Sequence, residues 1–189
     1  MMCKACTPIS KQIPPRNLRL VRVLGIDPGL TRCGFAIVES GPKALEFGLL
    51  KTPAEWQLDQ RIHFIAKGIE DLIDNYKPEI FAIEEVFAQQ NLRSVMSVAQ
   101  VSGALIFVAK RAGIESRLIT PTAVKSSVAG SGTASKDAVA RMVLRHFGLK
   151  EAPKPADVAD ALAVALAALQ ESQTPARRRW VEAQRSAKH

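Results

Sequence analysis

The apolar positions of the chain form two kinds of pattern, short runs and helical repeats. Short runs rich in branched side chains predict strands over 21–26, 34–39, 44–50, 79–87 and 116–119. Apolar residues three or four positions apart predict helices over 56–76, 92–112, 136–147 and 156–169, with a short helix starting at Pro121. Three strands followed by alternating helices and strands are typical of a mixed α/β sheet with helices packed on its faces.

Four acids interrupt this pattern where an apolar residue is expected. Asp27 ends the first strand, and Glu84 comes near the end of the run over 79–87. Asp157 and Asp160 are three residues apart and therefore share one face of the last helix. That helix is otherwise almost wholly Ala, Val and Leu, which predicts that it is buried.

Each acid also has an ordinary structural interpretation. Asp157 can serve as a helix N-terminal charge, a use worth at most about 1 kcal/mol. Asp27 precedes Pro28 and Gly29, so it can serve as a turn former. Taken singly, neither acid distinguishes a structural role from a catalytic one.

As a group, the four acids predict a metal site. Carboxylates crowded on buried elements repel one another, and an unpaired buried charge is costly. No Arg, Lys or His lies beside these acids in the sequence, so the expected counterions are one or two Mg²⁺ or Mn²⁺ ions, which prefer oxygen ligands. Two such ions support phosphodiester hydrolysis.

The distribution of charge indicates a polyanionic partner. The 189-residue chain has a formal net charge of +8. Residues 39–85 hold ten acids and five bases, whereas residues 93–150 hold nine bases and two acids. The second segment is a candidate polyanion-binding face. Scattered surface lysines and arginines are the alternative explanation.

The two ends of the chain differ from its body in composition. We predict a flexible basic leader over 1–20, one domain over 21–172 and a basic tail over 173–189. Cys3 and Cys6 form a CxxC without a second pair or a nearby His, which is a weak zinc or redox signal. Cysteine usage favours a cytoplasmic protein, and no apolar run has the length of a membrane span.

Four blocks carry a resemblance to a known family. They read GIDPGLTRCGFAIVE, FAIEEVF, ITPTAVKSSVAGSGTASK and PADVADALAVAL. In order and spacing they resemble the characteristic blocks of the RuvC family of Holliday-junction resolvases, over about residues 21–170. The first block alone also resembles other ribonuclease-H-like and actin-like folds, so the specificity comes from the four together.

The resemblance implies a ribonuclease-H-like fold and an Mg²⁺-dependent endonuclease. It implies a homodimer that cuts two strands of a four-way DNA junction symmetrically, in recombination and repair. Matched by position, the catalytic and metal-binding carboxylates are Asp27, Glu84, Asp157 and Asp160. Glu85 is the competing candidate, but strand alternation points neighbouring side chains to opposite faces, and the family motif places the catalytic acid at Glu84.

The resemblance also implies DNA contacts. Lys125 and Lys136 match basic residues near the scissile strand, and Phe87 matches an aromatic residue that stacks on unpaired bases at the junction centre. Arg93 lies in the polar segment after Phe87 and is a candidate phosphate contact. A branch-migration helicase complex is implied as a partner by the family alone.

Two other functions compete with this interpretation. An actin-like ATP-binding protein also has an acid after its first strand, but it needs a second nucleotide-cradling half that 189 residues do not accommodate. A non-catalytic junction-binding module gains nothing from concentrated negative charge, because its ligand is itself anionic. Retention of all four acids therefore favours the nuclease.

Overall fold

The computed structural model describes residues 20–41, 43–85 and 92–174, with side chains from residue 95 onwards in the last range. Within these ranges the elements follow the predicted order, and the mixed α/β class is confirmed. The elements are β1 Arg22–Asp27, β2 Arg32–Glu39, β3 Lys43–Lys51, α1 Leu58–Tyr76, β4 Ile80–Glu84, α2 Leu92–Arg111, β5 Glu115–Ile119, α3 Pro121–Ala129, α4 Lys136–Phe147 and α5 Ala156–Ser172. Their ends differ from the predicted ones by a few residues.

The strands form one five-stranded sheet in the order β3-β2-β1-β4-β5. Strands β1, β2 and β3 form an antiparallel meander, whereas β4 pairs parallel with both β1 and β5. Ile26 of β1 lies opposite Ile83 of β4. The next residues, Asp27 and Glu84, therefore end neighbouring parallel strands at the same edge of the sheet.

Helix α5 packs on one face of the sheet together with α3 and α4, and α1 and α2 pack on the other. Strand alternation assigns each side chain to a face. In β1, Val23 packs with α5, whereas Leu24 and Ile26 pack with α1 and α2. By the same alternation Asp27 lies on the α5 face. Strand β4 has the same phase, with Ala82 packing on the α5 side, so Glu84 lies there as well.

Two glycines let α5 lie directly against the sheet. A Cβ on Gly25 would come within 2.5 Å of Ala165 Cβ, and a Cβ on Gly34 would collide with the backbone oxygen of Asp157. Gly34 is the antiparallel partner of Asp27. The absence of a side chain at Gly34 therefore brings the start of α5 beside the end of β1.

Several predictions concern residues outside this description. The leader, the tail beyond residue 174, Cys3, Cys6 and Phe87 lie outside the described residues, and so does the side chain of Arg93. The leader, domain and tail boundaries therefore stay predictions. No helix within the described ranges is long and apolar enough to cross a membrane.

Candidate active site

The first acid of the site is followed by a tightly held turn. A Cβ on Gly29 would collide with the Arg32 carbonyl, so only glycine fits where the chain turns back toward β2. The buried Thr52 hydroxyl donates to the Leu30 carbonyl at 2.6 Å. Arg61 of α1 donates to Thr52 Oγ1 at 2.9 Å and to Thr31 Oγ1 at 2.6 Å. These contacts fix the backbone on which Asp27 ends β1.

Two further acids come from the first turns of α5. The residue that precedes the helix is Pro155, and no side chain caps the helix start. Asp157 instead lies with its Oδ2 atom 3.3 Å from Arg32 Nε, and Asp160 Oδ2 lies 3.3 Å from Lys136 Nζ. The two acids thus face the sheet and α4, on one side of a helix whose remaining surface is mostly buried.

The electrostatics place Asp27 within reach of the charges of the other three carboxylates. Burial raises the pKa of Asp27 to about 7, with further increases from the negative charges of Asp160, Glu84 and Asp157. Burial and the charge of Asp160 likewise raise the pKa of Glu84, while Lys136 and Lys125 act to lower it. The structure therefore brings together the four acids that the sequence singled out.

A cavity of about 270 Å³ opens beside two of the acids and two lysines. Glu84 and Asp160 line it together with Lys125 of α3 and Lys136 of α4, over an apolar floor that includes Val124 and Ala163. Thr120 caps α3 by accepting from Ala123 N, and Ser135 caps α4 by accepting from Ala138 N. Each lysine is therefore carried by a helix with a defined start.

Glu85 is separated from this cavity by the strand geometry. Its backbone N–H donates to the Ile119 carbonyl at 2.9 Å, which continues the pairing of β4 with β5. Among the described residues, it is Glu84 and not Glu85 that lines the cavity. A larger cavity of about 680 Å³ beside α1, lined by residues such as Trp56 and Phe64, includes none of the four acids.

Two arginines that support the site were not among the residues predicted from the sequence. No base lies beside the acids along the chain, yet Arg32 reaches Asp157 and Lys136 reaches Asp160 from other elements. Arg61 was also missed, although it holds the turn after Asp27. Arg32 lies within the first motif, but its partner is far along the chain, so only folding reveals the pair.

The residues present fit a divalent cation. Within the described ranges, no three Asp, Glu, His or Cys side chains are arranged to hold an ion as they stand. The donors are nevertheless carboxylate oxygens, which Mg²⁺ prefers. The buried Oδ2 atom of Asp157 also has no hydrogen-bond donor, because Arg32 lies near it without an aligned hydrogen bond. A cation would supply this missing partner and reduce the repulsion around Asp27.

The raised pKa of Asp27 predicts how the stability of the metal-free protein depends on pH. The folded state keeps this proton up to about pH 7, whereas an unfolded Asp loses it near its ordinary pKa of 3.8. The free energy of unfolding should therefore fall as the pH rises between these values. In EDTA, Asp27→Asn should stabilise the protein against urea by about 2 kcal/mol more at pH 8 than at pH 5.5. An equal effect at both pH values would contradict the raised pKa.

Fold and site together define a class of protein. A five-stranded mixed sheet in this order, with acids at the ends of two adjacent parallel strands and on a helix across them, is that of a ribonuclease-H-like nuclease. Comparison with known proteins identifies the family. The family model "Crossover junction endodeoxyribonuclease RuvC" matches residues 23–168, and the chain belongs to this family.

Individual relatives agree with this assignment. The crossover junction endodeoxyribonuclease RuvC of Paenarthrobacter aurescens is 45% identical over 184 residues, which cover 89% of this chain and 97% of that protein. A solved Thermus thermophilus RuvC structure matches with a TM-score of 0.75 and 34% identity, covering 81% of this chain and 96% of the other. T. thermophilus RuvC in complex with Holliday junction substrate also has a TM-score of 0.75, with 31% identity and coverage of 81% and 95%.

Family membership confirms the resemblance on which the sequence analysis relied. The protein is a crossover junction endodeoxyribonuclease, as the names of relatives at high identity and coverage indicate. The actin-like alternative is thereby excluded. Nucleases of this family are metal-dependent, which agrees with the carboxylate chemistry of the site.

Proposed function

We propose that the protein resolves four-way DNA junctions by paired, symmetric phosphodiester hydrolysis, with Asp27, Glu84, Asp157 and Asp160 as its catalytic carboxylates. The observation that carries this proposal is that the charges of Asp160, Glu84 and Asp157 all act on the partly buried Asp27, beside a cavity that Glu84 and Asp160 line together with two lysines. The complex of T. thermophilus RuvC with Holliday junction substrate supports the choice of DNA. A junction has two like strands, and resolution requires that both are cut.

The four carboxylates would hold Mg²⁺, up to two ions per site, with Mn²⁺ as a substitute. Bound there, such ions supply an activated water and stabilise the charge that develops on the leaving oxygen. The protein contributes the geometry, because two of the carboxylates end hydrogen-bonded strands and two start a buried helix. In-line attack releases a 3′-hydroxyl, so the nicked strands can be ligated.

The lysines provide the complementary charge for the DNA strand. Lys136 is 80% exposed and its pKa is raised, chiefly by the charge of Asp160, so it is fully protonated at neutral pH. Lys125 lines the same cavity. Both would contact phosphates next to the bond that is cut. Phe87 stacking on an unpaired base, and Arg93 contacting a phosphate, complete the proposed DNA contacts.

A homodimer would supply the second active site, and α2 offers a surface for it. Met96, Gly103 and Phe107 follow one another at helical spacing, and Met96 and Phe107 are 60% and 65% exposed. A Cβ on Gly103 meets nothing within 4 Å among the described residues. Packing within the chain therefore does not require glycine there, although glycine costs a helix about 1 kcal/mol relative to alanine. A second α2 helix packed against this stripe would cover the exposed Met96 and Phe107, and it would explain why a glycine stands at position 103.

The α2 surface predicts the effect of one substitution on assembly. Phe107→Glu should raise the dimer dissociation constant by about 30-fold or more, since it places a charge at the centre of an apolar interface. Phe64→Glu is the matched control, because Phe64 is an exposed phenylalanine of α1. Sedimentation equilibrium measures both variants. Equal dissociation constants for the two variants would exclude α2 as the interface.

Junction selectivity tests the proposed function directly. Purified protein should cleave a labelled four-way junction at least about 100-fold faster than linear duplex or an RNA/DNA hybrid, because the class of substrate is recognised by its branched shape. EDTA should abolish the cleavage, and Mg²⁺ should restore it. Equal cleavage of linear duplex would overturn the assignment. Tight junction binding without cleavage in any divalent metal would favour the non-catalytic binding module.

Two further proposals, a protein partner and a compartment, rest on family resemblance alone. The proposed protein partner is a branch-migration helicase complex. The proposed compartment is the cytoplasm, where the chromosome of a bacterial relative lies. Pull-down of the helicase complex on junction DNA, with and without this protein, tests the proposed partnership. Neither proposal depends on the four carboxylates.

A further inference from the structure

Arg32 occupies a position at the active site that the functional assignment does not use. Its Nε atom lies 3.3 Å from Asp157 Oδ2. The Arg32 side chain is 55% exposed, whereas that of Asp157 is 20% exposed. Arg32 is therefore the more exposed partner of this pair and lies on the solvent side of Asp157.

The contact between Arg32 and Asp157 is a loose one. An arginine that serves as a permanent partner of a carboxylate makes short, aligned hydrogen bonds, often two in parallel. Here the charges are adjacent, but Asp157 Oδ2 is buried and accepts no hydrogen bond. The Arg32 guanidinium thus offsets the negative charge of Asp157 without donating a hydrogen bond to Oδ2. A partner that binds this oxygen more strongly can therefore displace Arg32.

The backbone that carries Arg32 is held firmly. Arg32 starts β2 opposite Lys51 of β3. The side chain of the preceding residue, Thr31, accepts a hydrogen bond from Arg61. The Thr31 carbonyl accepts a second one from the Thr52 N–H at 3.1 Å. Movement of the guanidinium away from Asp157 therefore requires only side-chain rotation. A guanidinium group released in this way is suited to a phosphate oxygen, whose geometry it matches.

We propose that Arg32 is a positioning residue that neutralises Asp157 in the DNA-free protein, competes there with the divalent cation, and moves to a backbone phosphate when DNA binds. This inference rests on the proposed function of the four carboxylates. When DNA draws Arg32 away from Asp157, the affinity of the site for the cation rises. DNA and the cation then bind cooperatively, and by linkage each raises the affinity of the other.

The first measurement is the affinity of the DNA-free full chain for Mn²⁺, from the electron paramagnetic resonance signal of the free ion. Arg32→Gln should bind Mn²⁺ about two- to fivefold more tightly than the wild type, the range expected for removing a half-exposed competing ion pair. The Mn²⁺ affinity of Arg32→Lys, which keeps the charge, should lie between those of the wild type and Arg32→Gln. Arg22→Gln is the matched control, because Arg22 pairs with Glu39 at 2.6 Å at the other end of β1 and β2.

The second measurement is junction affinity in EDTA as a function of salt. Arg32→Gln should weaken binding about two- to fivefold and reduce the slope of log affinity against log salt by about 1, as loss of one phosphate contact does. Arg22→Gln should leave the slope unchanged. A purely structural Arg32 would change thermal stability but neither the Mn²⁺ affinity nor the salt slope.

The outcomes separate this inference from the function on which it rests. Wild-type protein that binds Mn²⁺ and cleaves junctions, beside an Arg32→Gln variant with unchanged or weaker Mn²⁺ binding, would overturn the role of Arg32 alone. An unchanged salt slope in that variant would overturn the transfer to phosphate. Wild-type protein that neither binds Mn²⁺ nor cleaves junctions would overturn the proposed function and this inference with it.

Discussion

Asp27→Asn is expected to reduce the rate of junction cleavage by about 100- to 1,000-fold, the loss typical of removing one preorganised charge from an active site. Asp27 is the acid on which all three other carboxylates act, so its charge is central to the cluster. Asparagine preserves the shape of the side chain at the end of β1. Single-turnover cleavage of a labelled junction in saturating Mg²⁺ measures the effect.

The same variant should keep its affinity for the junction. Removing a negative charge near a phosphate does not weaken DNA binding, so retained or tighter binding in a gel-shift assay shows that the fold and the DNA surface are intact. Greater resistance to urea in EDTA at pH 8 is a second check on folding. Cleavage at an undiminished rate would mean that Asp27 has only its turn-forming role.

Glu84→Gln is expected to cause a loss of cleavage of the same order, about 100-fold or more, while Glu85→Gln is expected to stay within about twofold of the wild type. The two substitutions remove the same charge from adjacent residues. Only Glu84 lies on the α5 face of the sheet, where it lines the cavity with Lys136 and Asp160. Surface substitutions away from such a site are usually worth less than about 0.5 kcal/mol.

This pair of variants is sensitive to the register of β4. A shift of one residue would exchange the faces of the two glutamates and reverse the result. Equal losses in both variants would show that the negative charge of the region matters but not its position. That result would contradict the assignment of Glu84. Single-turnover cleavage rates of the two variants at saturating enzyme distinguish equal losses from a loss in Glu84→Gln alone or in Glu85→Gln alone.

Much of the fold was predictable because its signals are local. The helix repeat over 56–76 and the strand run ending at Asp27 depend on residues close together in the chain. The ends of elements were less accurate, since β2 begins at Arg32 and not at Gly34. Pairing in the sheet, not the apolar pattern, decides where a strand begins.

The acids of the proposed site could be singled out for a different reason. An acid is costly where the surrounding residues are apolar, so Asp160 on a helix of Ala, Val and Leu already indicates a special role. The pairing of these acids with basic side chains was not predicted. Arg32 and Lys136 pair with α5 acids that are far from them along the chain, and no local pattern encodes such a pair.

The sequence by itself therefore determined the order of elements, the class of fold and the four acids, because burial patterns and misplaced charges are properties of short segments. The tertiary structure decided how those acids meet. Parallel pairing of β1 with β4 brings Asp27 beside Glu84, and the missing side chain at Gly34 brings in Asp157. Distances between remote segments depend on packing, so only the folded chain shows that Arg32 lies beside Asp157.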